Sequence, residues 1–361
     1  MGGESRAPSA PAIGVTASGA FESVLRGLRV AIAVASYKTS AVAVLSAASG
    51  GLSLLTRAFD KPMGLAAAGN RLAIACRDEL VVFADSPELG RRYDRVPGGY
   101  DHLWLPRSVR YTGEIDLHDP AFAGETVVGA ATRLSCLARF DDAASLTPLW
   151  TPPFVSALEA DDRCHLNGLA LDEAGAPRFA TALGTGDGPE SWRAGRLDGG
   201  VVLSVPDGRV LRGGLSMPHS PRLHRGALHV LDSGRGEILR LDPDTGEGDV
   251  LARLPGFARG LAIHGDFLFV GLSRLRDRAG AGAEPLEIER RAQPPVCGLA
   301  LVQLSSGRRL GMIEFAEGLD EISDLALLPG AGRHGLLGHT DPAHRAALAL
   351  PGKGFWAPPT S

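Results

Sequence analysis

Three histidines, an asparagine and an arginine recur at matching places in a repeating pattern, and their chemistry is the first thing the sequence offers. In each copy a lead residue stands just before a short apolar stretch, a tight turn follows, and a second apolar stretch returns. The lead positions are Met63, His118, Asn167, His219, Arg259 and Ser323. Two residues earlier stand Lys61, Asp116, His165, Met217, Phe257 and Glu321. Returning stretches end at Ser36, Tyr37, Arg77, Thr132, Thr181, Asp232, Ser233 and Ser273. Residues that open equivalent strands converge in space if the strands themselves are arranged in a ring.

Converging neutral imidazoles suit a divalent transition metal, Fe, Zn, Cu or Mn, better than a hard oxygen-seeking cation. His118, His219, His165 and Asn167 are the candidate ligands, with Asp116 or Asp119 orienting an imidazole from behind. His165 or Asp116 would move a proton, and Arg259 would hold an anionic substrate through its planar fork. Glu321, Thr181 and Asp232 would complete the substrate pocket. Each residue also has a plainer role. An imidazole can simply bond a nearby carbonyl, Asn167 can cap a strand start before Gly168, and Arg259 can pair with Glu321 or Asp324. Cys164 reads as a buried thiol.

The elements that must position these residues are short strands. Arg29–Ser36, Ala41–Ala47 and Leu52–Phe59 read as three strands, and the Met63 hairpin with Glu79–Ala84 follows. Asp85–Thr112 is irregular and reads as an elaborated outer strand plus a loop. Similar groups follow His118, Asn167, His219 and Arg259, the last interrupted by a charged, Gly- and Ala-rich loop at Arg274–Pro295. Lead-to-lead spacings of 55, 49, 52, 40 and 64 residues fit four strands per unit. That periodicity predicts an all-β, six-bladed β-propeller. The sixth unit has one strand, Ser323–Leu328, and the three strands opening the chain supply the rest, closing the ring. Five or seven blades would follow if Asp85–Thr112 is misjudged. The predicted organisation is a disordered tail over residues 1–28, one propeller over 29–338, and a Pro-rich tail over 339–361 that wraps the surface. His334, His339 and His344 fall in what reads as solvated sequence, and His224 and His264 in hairpin turns.

Bulk composition agrees and excludes several classes. The 361 residues are 44% hydrophobic and only 6% aromatic, with 47 glycines, which favours tight turns over helical packing. A formal net charge of −4 with mixed signs offers no basic face for nucleic acid or a membrane. Four dispersed cysteines, with no CxxC pair, predict reduced thiols and a cytoplasmic chain. No basic-then-apolar leader is present, and the longest apolar run, Val30–Ala35, is too short to span a bilayer. Gly184–Gly188 and Gly280–Ala283 do not lead from strand to helix as a phosphate cradle requires.

Several motifs, Lys61-Pro-Met-Gly-Leu-Ala66, Leu117-His-Asp119, Arg163-Cys-His-Leu-Asn-Gly168, Leu215-Ser-Met-Pro-His-Ser-Pro-Arg222 and Arg259-Gly-Leu-Ala262, resemble a bacterial family of conserved hypothetical proteins known only as a domain of unknown function. The likeness runs from about Val34 to about Gly338 and implies a fold without a reaction; Lys38–Ser40 and Asp101-His102 depart from it. More distantly, Asn167-Gly168 before a strand is similar to six-bladed propellers of the gluconolactonase and strictosidine-synthase type. Those lactonases imply a divalent cation on Glu, Asn and Asp; histidines in the corresponding slots here point toward transition metals. The expected function is a metal-dependent enzyme acting on a small anionic metabolite or modified peptide, by hydrolysis, isomerisation or metal redox chemistry. The alternative is a non-catalytic propeller that binds a peptide or protein partner at the same mouth.

Overall fold

The computed structural model describes residues 13–275 and 284–358. Among these, the strands form six blade sheets, each built on an antiparallel four-stranded meander from the inside outward and two of them with an added edge strand, and one separate two-stranded hairpin. Blade 1 runs Gly64–Ala68, Arg71–Ala75, Glu79–Asp85 and His102–Tyr111; blade 2 runs Leu117–Ala123, Thr126–Ala131, Cys136–Phe140 and Thr147–Trp150. Blade 3 holds Leu166–Leu171, Pro177–Ala182, Gly200–Ser204 and Val210–Leu215, and blade 4 holds Pro218–His224, Ala227–Asp232, Glu237–Leu241 and Gly248–Arg253. Blade 5 is Phe257–His264, Phe267–Ser273, Gly298–Gln303 and Arg309–Glu317. The innermost strand of each blade contacts those of both neighbouring blades, and this chain of contacts returns to its start.

Closure follows from chain order. The innermost strand of blade 6, Asp324–Pro329, pairs antiparallel with Val30–Ser36, from Ala35↔Asp324 to Val30↔Pro329. Ala41–Ala48 and Gly51–Ala58 complete that blade. The first and last parts of the chain thus share one sheet, and the ring has no gap where a partner strand is missing.

Alternation along the strands sends apolar side chains into the wedges between blades, so the core is a ring of six layers. Ile32, Leu45, Leu299, Phe315 and Leu325 fill the wedge between blades 5 and 6. Ala33, Val44, Leu72, Val81 and Trp104 fill the next, between blades 6 and 1. All four cysteines are buried and unpaired. Burial pushes the Cys164 thiol up to about 12, which removes it as a nucleophile near neutral pH.

Glycine is required where inner strands lock together. A Cβ on Gly168 would stand 2.1 Å from Thr181 Oγ1 and 2.5 Å from Pro221 Cδ of blade 4. Gly64 meets Pro120 of blade 2 in the same way. The prolines of His118-Asp-Pro and His219-Ser-Pro are therefore seated on glycines of the preceding blade.

Several expectations need correction. Residues 14–28 are ordered: Gly14–Gly19 adds a fifth strand to blade 5 along Arg309–Glu317, and the helix Phe21–Leu28 buries Phe21 and Leu25. The rest of the expected disordered tail, residues 1–12, lies outside the described residues. Asp85–Thr112 contains a short helix, Pro87–Arg91, before the long outer strand. Of the expected loop at Arg274–Pro295, residues 276–283 lie outside the described residues; the remainder includes a helical turn, Glu287–Arg290, with Leu286 and Ile288 buried near Phe257. The C-terminal segment pairs His334–Leu336 in parallel with the edge of blade 1 and then forms a hairpin, Ala347–Leu350 with Lys353–Trp356.

A further correction concerns His334, which is buried. Trp104 Nε1 donates to its Nδ1 at 3.2 Å, and its Nε2 donates to the Gly330 carbonyl at 3.1 Å. Burial, then the neighbouring His102 ring, lowers it to about 4. A depressed basic pKa contributes stability above the unfolded value near 6.5 and loses it as pH falls toward 4. Wild-type protein is therefore expected to bind one more proton per molecule on unfolding at pH 5 than His334→Gln does. The check is the slope of unfolding free energy against pH, which should be shallower in the variant by up to about 1.4 kcal/mol per pH unit; equal slopes would refute it.

Candidate active site at one mouth of the channel

The six inner strands start at one mouth of the central channel, and the backbone there is bent to aim side chains inward. Lys61, Asp116, His165 and Met217, each two residues before a lead position, all have φ between 47° and 51°. Asp119 and Ser220, just after His118 and His219, are also left-handed, at 47° and 51°. In blades 2 to 5 the pairing register slips beside the lead residue, so each sits on a bulge. Bulges re-aim side chains, and non-glycine residues in this region cost on the order of 1 kcal/mol or more each.

His118 and His219 are held identically. His118 Nδ1 lies 2.9 Å from the Asp116 carbonyl and 2.7 Å from Thr132 Oγ1. His219 Nδ1 lies 2.9 Å from the Met217 carbonyl and 2.9 Å from Ser233 Oγ. A carbonyl only accepts, so Nδ1 carries the proton in both rings and Nε2 keeps a lone pair. The hydroxyls pass the chain onward, Thr132 donating to Leu166 O and Ser233 to Ala258 O of the following blades. Burial, followed by nearby positive groups, holds both imidazoles well below the usual histidine range, so both are neutral.

Arg259 crosses the mouth. Its Nη2 stands 3.4 Å from His118 Nε2, its Nη1 3.5 Å from Glu321 Oε1, and its guanidinium lies 5.5 Å from the centre of the Tyr37 ring. Both contacts are long, and Nε is buried with no partner among the described residues. Glu321 accepts from Ser36 Oγ at 3.1 Å and Lys38 N at 3.4 Å; burial raises its pKa and Arg259 opposes that. Asn167 accepts from Thr181 at 2.8 Å, while its Nδ2 is buried without a partner among the described residues. Because blades 2 and 5 meet through His118 and Arg259, Asn167 of blade 3 and His219 of blade 4 lie in the arc between them.

His165 stands next to this group, its ring centre 5.5 Å from that of His118. Its Nδ1 is 2.8 Å from Asp162, which also accepts from Trp192 Nε1 at 3.0 Å. Asp162 and Trp192 escaped sequence reading. Trp192 comes from a loop that extends blade 3, and only its presence in polar sequence hinted at a buried role. Asp116 is bound by Lys61 Nζ at 2.6 Å and orients His118 through its carbonyl, not its carboxylate. Asp232 does not join the pocket: it accepts from Ser216 N at 2.8 Å and pairs with Arg235 at 2.5 Å within its own blade. Asp119 does not orient a histidine either. It accepts from Leu169 N at 2.8 Å and pairs with Arg222 at 2.6 Å, making with buried Asp324 the floor beneath the mouth. Below that floor a funnel of about 370 Å³, lined by Asp119 and Arg222 as well as Leu65, Phe122, Leu169 and Leu325, opens to the other end. Among the described residues, no three His, Cys, Asp or Glu side chains are grouped to hold a metal ion.

A ring of six four-stranded sheets around a channel, with one polar mouth, defines the class: this is a six-bladed β-propeller. The chain belongs to the family described as Domain of unknown function (DUF4915), whose model matches residues 19–337. No curated protein matches it in sequence. Two solved structures share the fold. One, titled as a nidogen/laminin complex, is 12% identical with a TM-score of 0.53, covering 84% of this chain and 99% of that one. The other, a protein of unknown function from Bacteroides caccae, is 10% identical with a TM-score of 0.50, covering 83% and 99%. At these identities the likeness is one of fold alone.

Proposed function

We propose that the mouth binds a small molecule bearing a carboxylate or similar oxyanion, and that His165, backed by Asp162, moves a proton on it. The observation that carries this reading is Arg259. A buried guanidinium with two long contacts and an unpartnered Nε is undercompensated, and an incoming anion supplies what is missing. Two neutral imidazoles beside it add no competing positive charge. The His165–Asp162–Trp192 arrangement fixes a ring with one nitrogen turned to a carboxylate, the usual setting of a general base. Proton abstraction next to a carboxylate, or base-assisted hydrolysis, fits these parts.

A metal-dependent enzyme is the second reading. It is favoured by the matched Nδ1–H bonds of His118 and His219, which present Nε2 as ligating imidazoles do. It requires Arg259 to withdraw from His118 Nε2. A non-catalytic propeller that binds a peptide at the same mouth uses Arg259 and Asn167 without His165. Among the described residues no helix is long and apolar enough to cross a membrane, and the four buried free thiols support a cytoplasmic setting.

Calorimetric titration of the purified protein with acetate, propionate, phosphate and tetramethylammonium chloride tests the reading, alongside elemental analysis. Saturable binding of at least one anion, with no response to the cation and under about a tenth of an equivalent of metal, is expected. Absence of anion binding would overturn it, and a full equivalent of Fe, Zn, Cu or Mn lost in His118→Ala would favour the metal reading.

A further inference from the structure

Resting on that reading, the geometry points to a narrower ligand class: we infer that the anion is a 2-hydroxycarboxylate. Within the arc closed by Arg259 and His118, two adjacent side chains present opposite unmet needs. Asn167 is 2% exposed, its Oδ1 is taken by Thr181, and its Nδ2 has hydrogens with no acceptor. His219 is 6% exposed, its Nδ1–H is taken by Met217 O and Ser233, and its Nε2 lone pair has no donor among the described residues. Their strands are neighbours in the ring, and a single ligand group meeting both needs would accept from Asn167 and donate to His219.

A hydroxyl does both. A keto oxygen accepts from Asn167 but opposes the His219 lone pair with its own. An ammonium donates to His219 but has nothing to accept from Asn167, and it adds positive charge beside Arg259. A second carboxylate oxygen fails at His219 as the keto group does. Asn167 and His219 stand on blades 3 and 4, between His118 of blade 2 and the root of Arg259 in blade 5. A carboxylate held by Arg259 would therefore carry the hydroxyl toward them on the adjoining carbon. Buried polar groups left unpaired by a ligand cost affinity, so the site discriminates against analogues lacking that hydroxyl.

The experiment is titration of the wild-type protein with D- and L-lactate, 3-hydroxypropionate, propionate, pyruvate and alanine at one pH and salt concentration. At least one lactate enantiomer is expected to bind about tenfold or more tightly than propionate, pyruvate and alanine, and more tightly than 3-hydroxypropionate. Asn167→Leu should cut the lactate-over-propionate preference to about twofold or less. If lactate, propionate and pyruvate bind alike, the hydroxyl inference is wrong and the anion site stands. If 3-hydroxypropionate is preferred, the adjacency is wrong. If none of the acids binds, the anion site fails with it. The ligand series uses only the native protein, so a variant that does not fold leaves the outcome decidable.

Discussion

Removing residues 1–45 is expected to leave no cooperatively folding propeller. The deletion takes away Val30–Ser36, which pairs with Asp324–Pro329, and half of the strand outside it. It also removes Phe21, Leu25, Val30, Ile32, Val34, Val42, Val44 and Leu45, all buried. At roughly 1.5–3 kcal/mol for each large apolar side chain, the loss is on the order of 12 kcal/mol or more. That matches or exceeds the roughly 5–15 kcal/mol that separates folded from unfolded chains. Blade 5 would also face an open wedge, with Leu299, Phe315 and Ile322 uncovered. Deleting only residues 1–19 removes a largely exposed strand that extends blade 5, so the ring should persist with a modest loss of stability. Thermal melts followed by circular dichroism separate the two. A soluble, sharply melting protein lacking residues 1–45 would overturn the closure argument.

Replacing Arg259 with lysine is expected to weaken binding of a small carboxylate by about 30-fold or more, corresponding to about 2 kcal/mol or more. Lysine keeps the charge but offers one point where the guanidinium offers a fork, and it cannot reach His118, Glu321 and a ligand together. Arg259→Met should abolish binding altogether while leaving Glu321 buried and protonated over a wider pH range, because its opposing charge is gone. Both variants should melt within a few degrees of wild type if the present contacts, 3.4 Å and 3.5 Å, are as weak as their lengths suggest. The measurement is calorimetric affinity for the best-binding acid, beside a melt. Affinity within about threefold of wild type in Arg259→Lys would remove Arg259 from the ligand's anionic end.

Much of this molecule was readable from the chain because a propeller is a local design repeated. Strand, turn and alternation depend on residues a few positions apart, so Glu237–Leu241 and Gly248–Arg253 could be bounded from sequence alone. The repeat also placed His118, Asn167, His219 and Arg259 at one mouth, since equivalent strand starts in a closed ring share an end. The helix Phe21–Leu28 was missed: the Gly-, Ala-, Ser- and Pro-rich composition made residues 1–28 read as a tail, although Phe21, Val24, Leu25 and Leu28 keep a helical spacing.

What the chain could not disclose is which side chains meet across the ring. Arg259 reaches His118 over 141 positions, Arg222 reaches Asp119 over 103, and Ser36 reaches Glu321 over 285. Those partnerships depend on blade order, channel width and which way each bulge turns its residue, and no local pattern encodes them. The same reason explains Asp232, which ends its strand facing Arg235 and Ser216, while Ser233, opening the 3-10 turn that follows, faces His219; only the built blade decides which one enters the mouth. Sequence determined the ring and which residues open its inner strands, but not Asp162 and Trp192 beside His165 or the exclusion of Asp232. Tertiary structure determined that His118 and His219 are neutral and that Asn167 Nδ2 and Arg259 Nε are buried without partners among the described residues, because burial and distance are properties of the assembled ring.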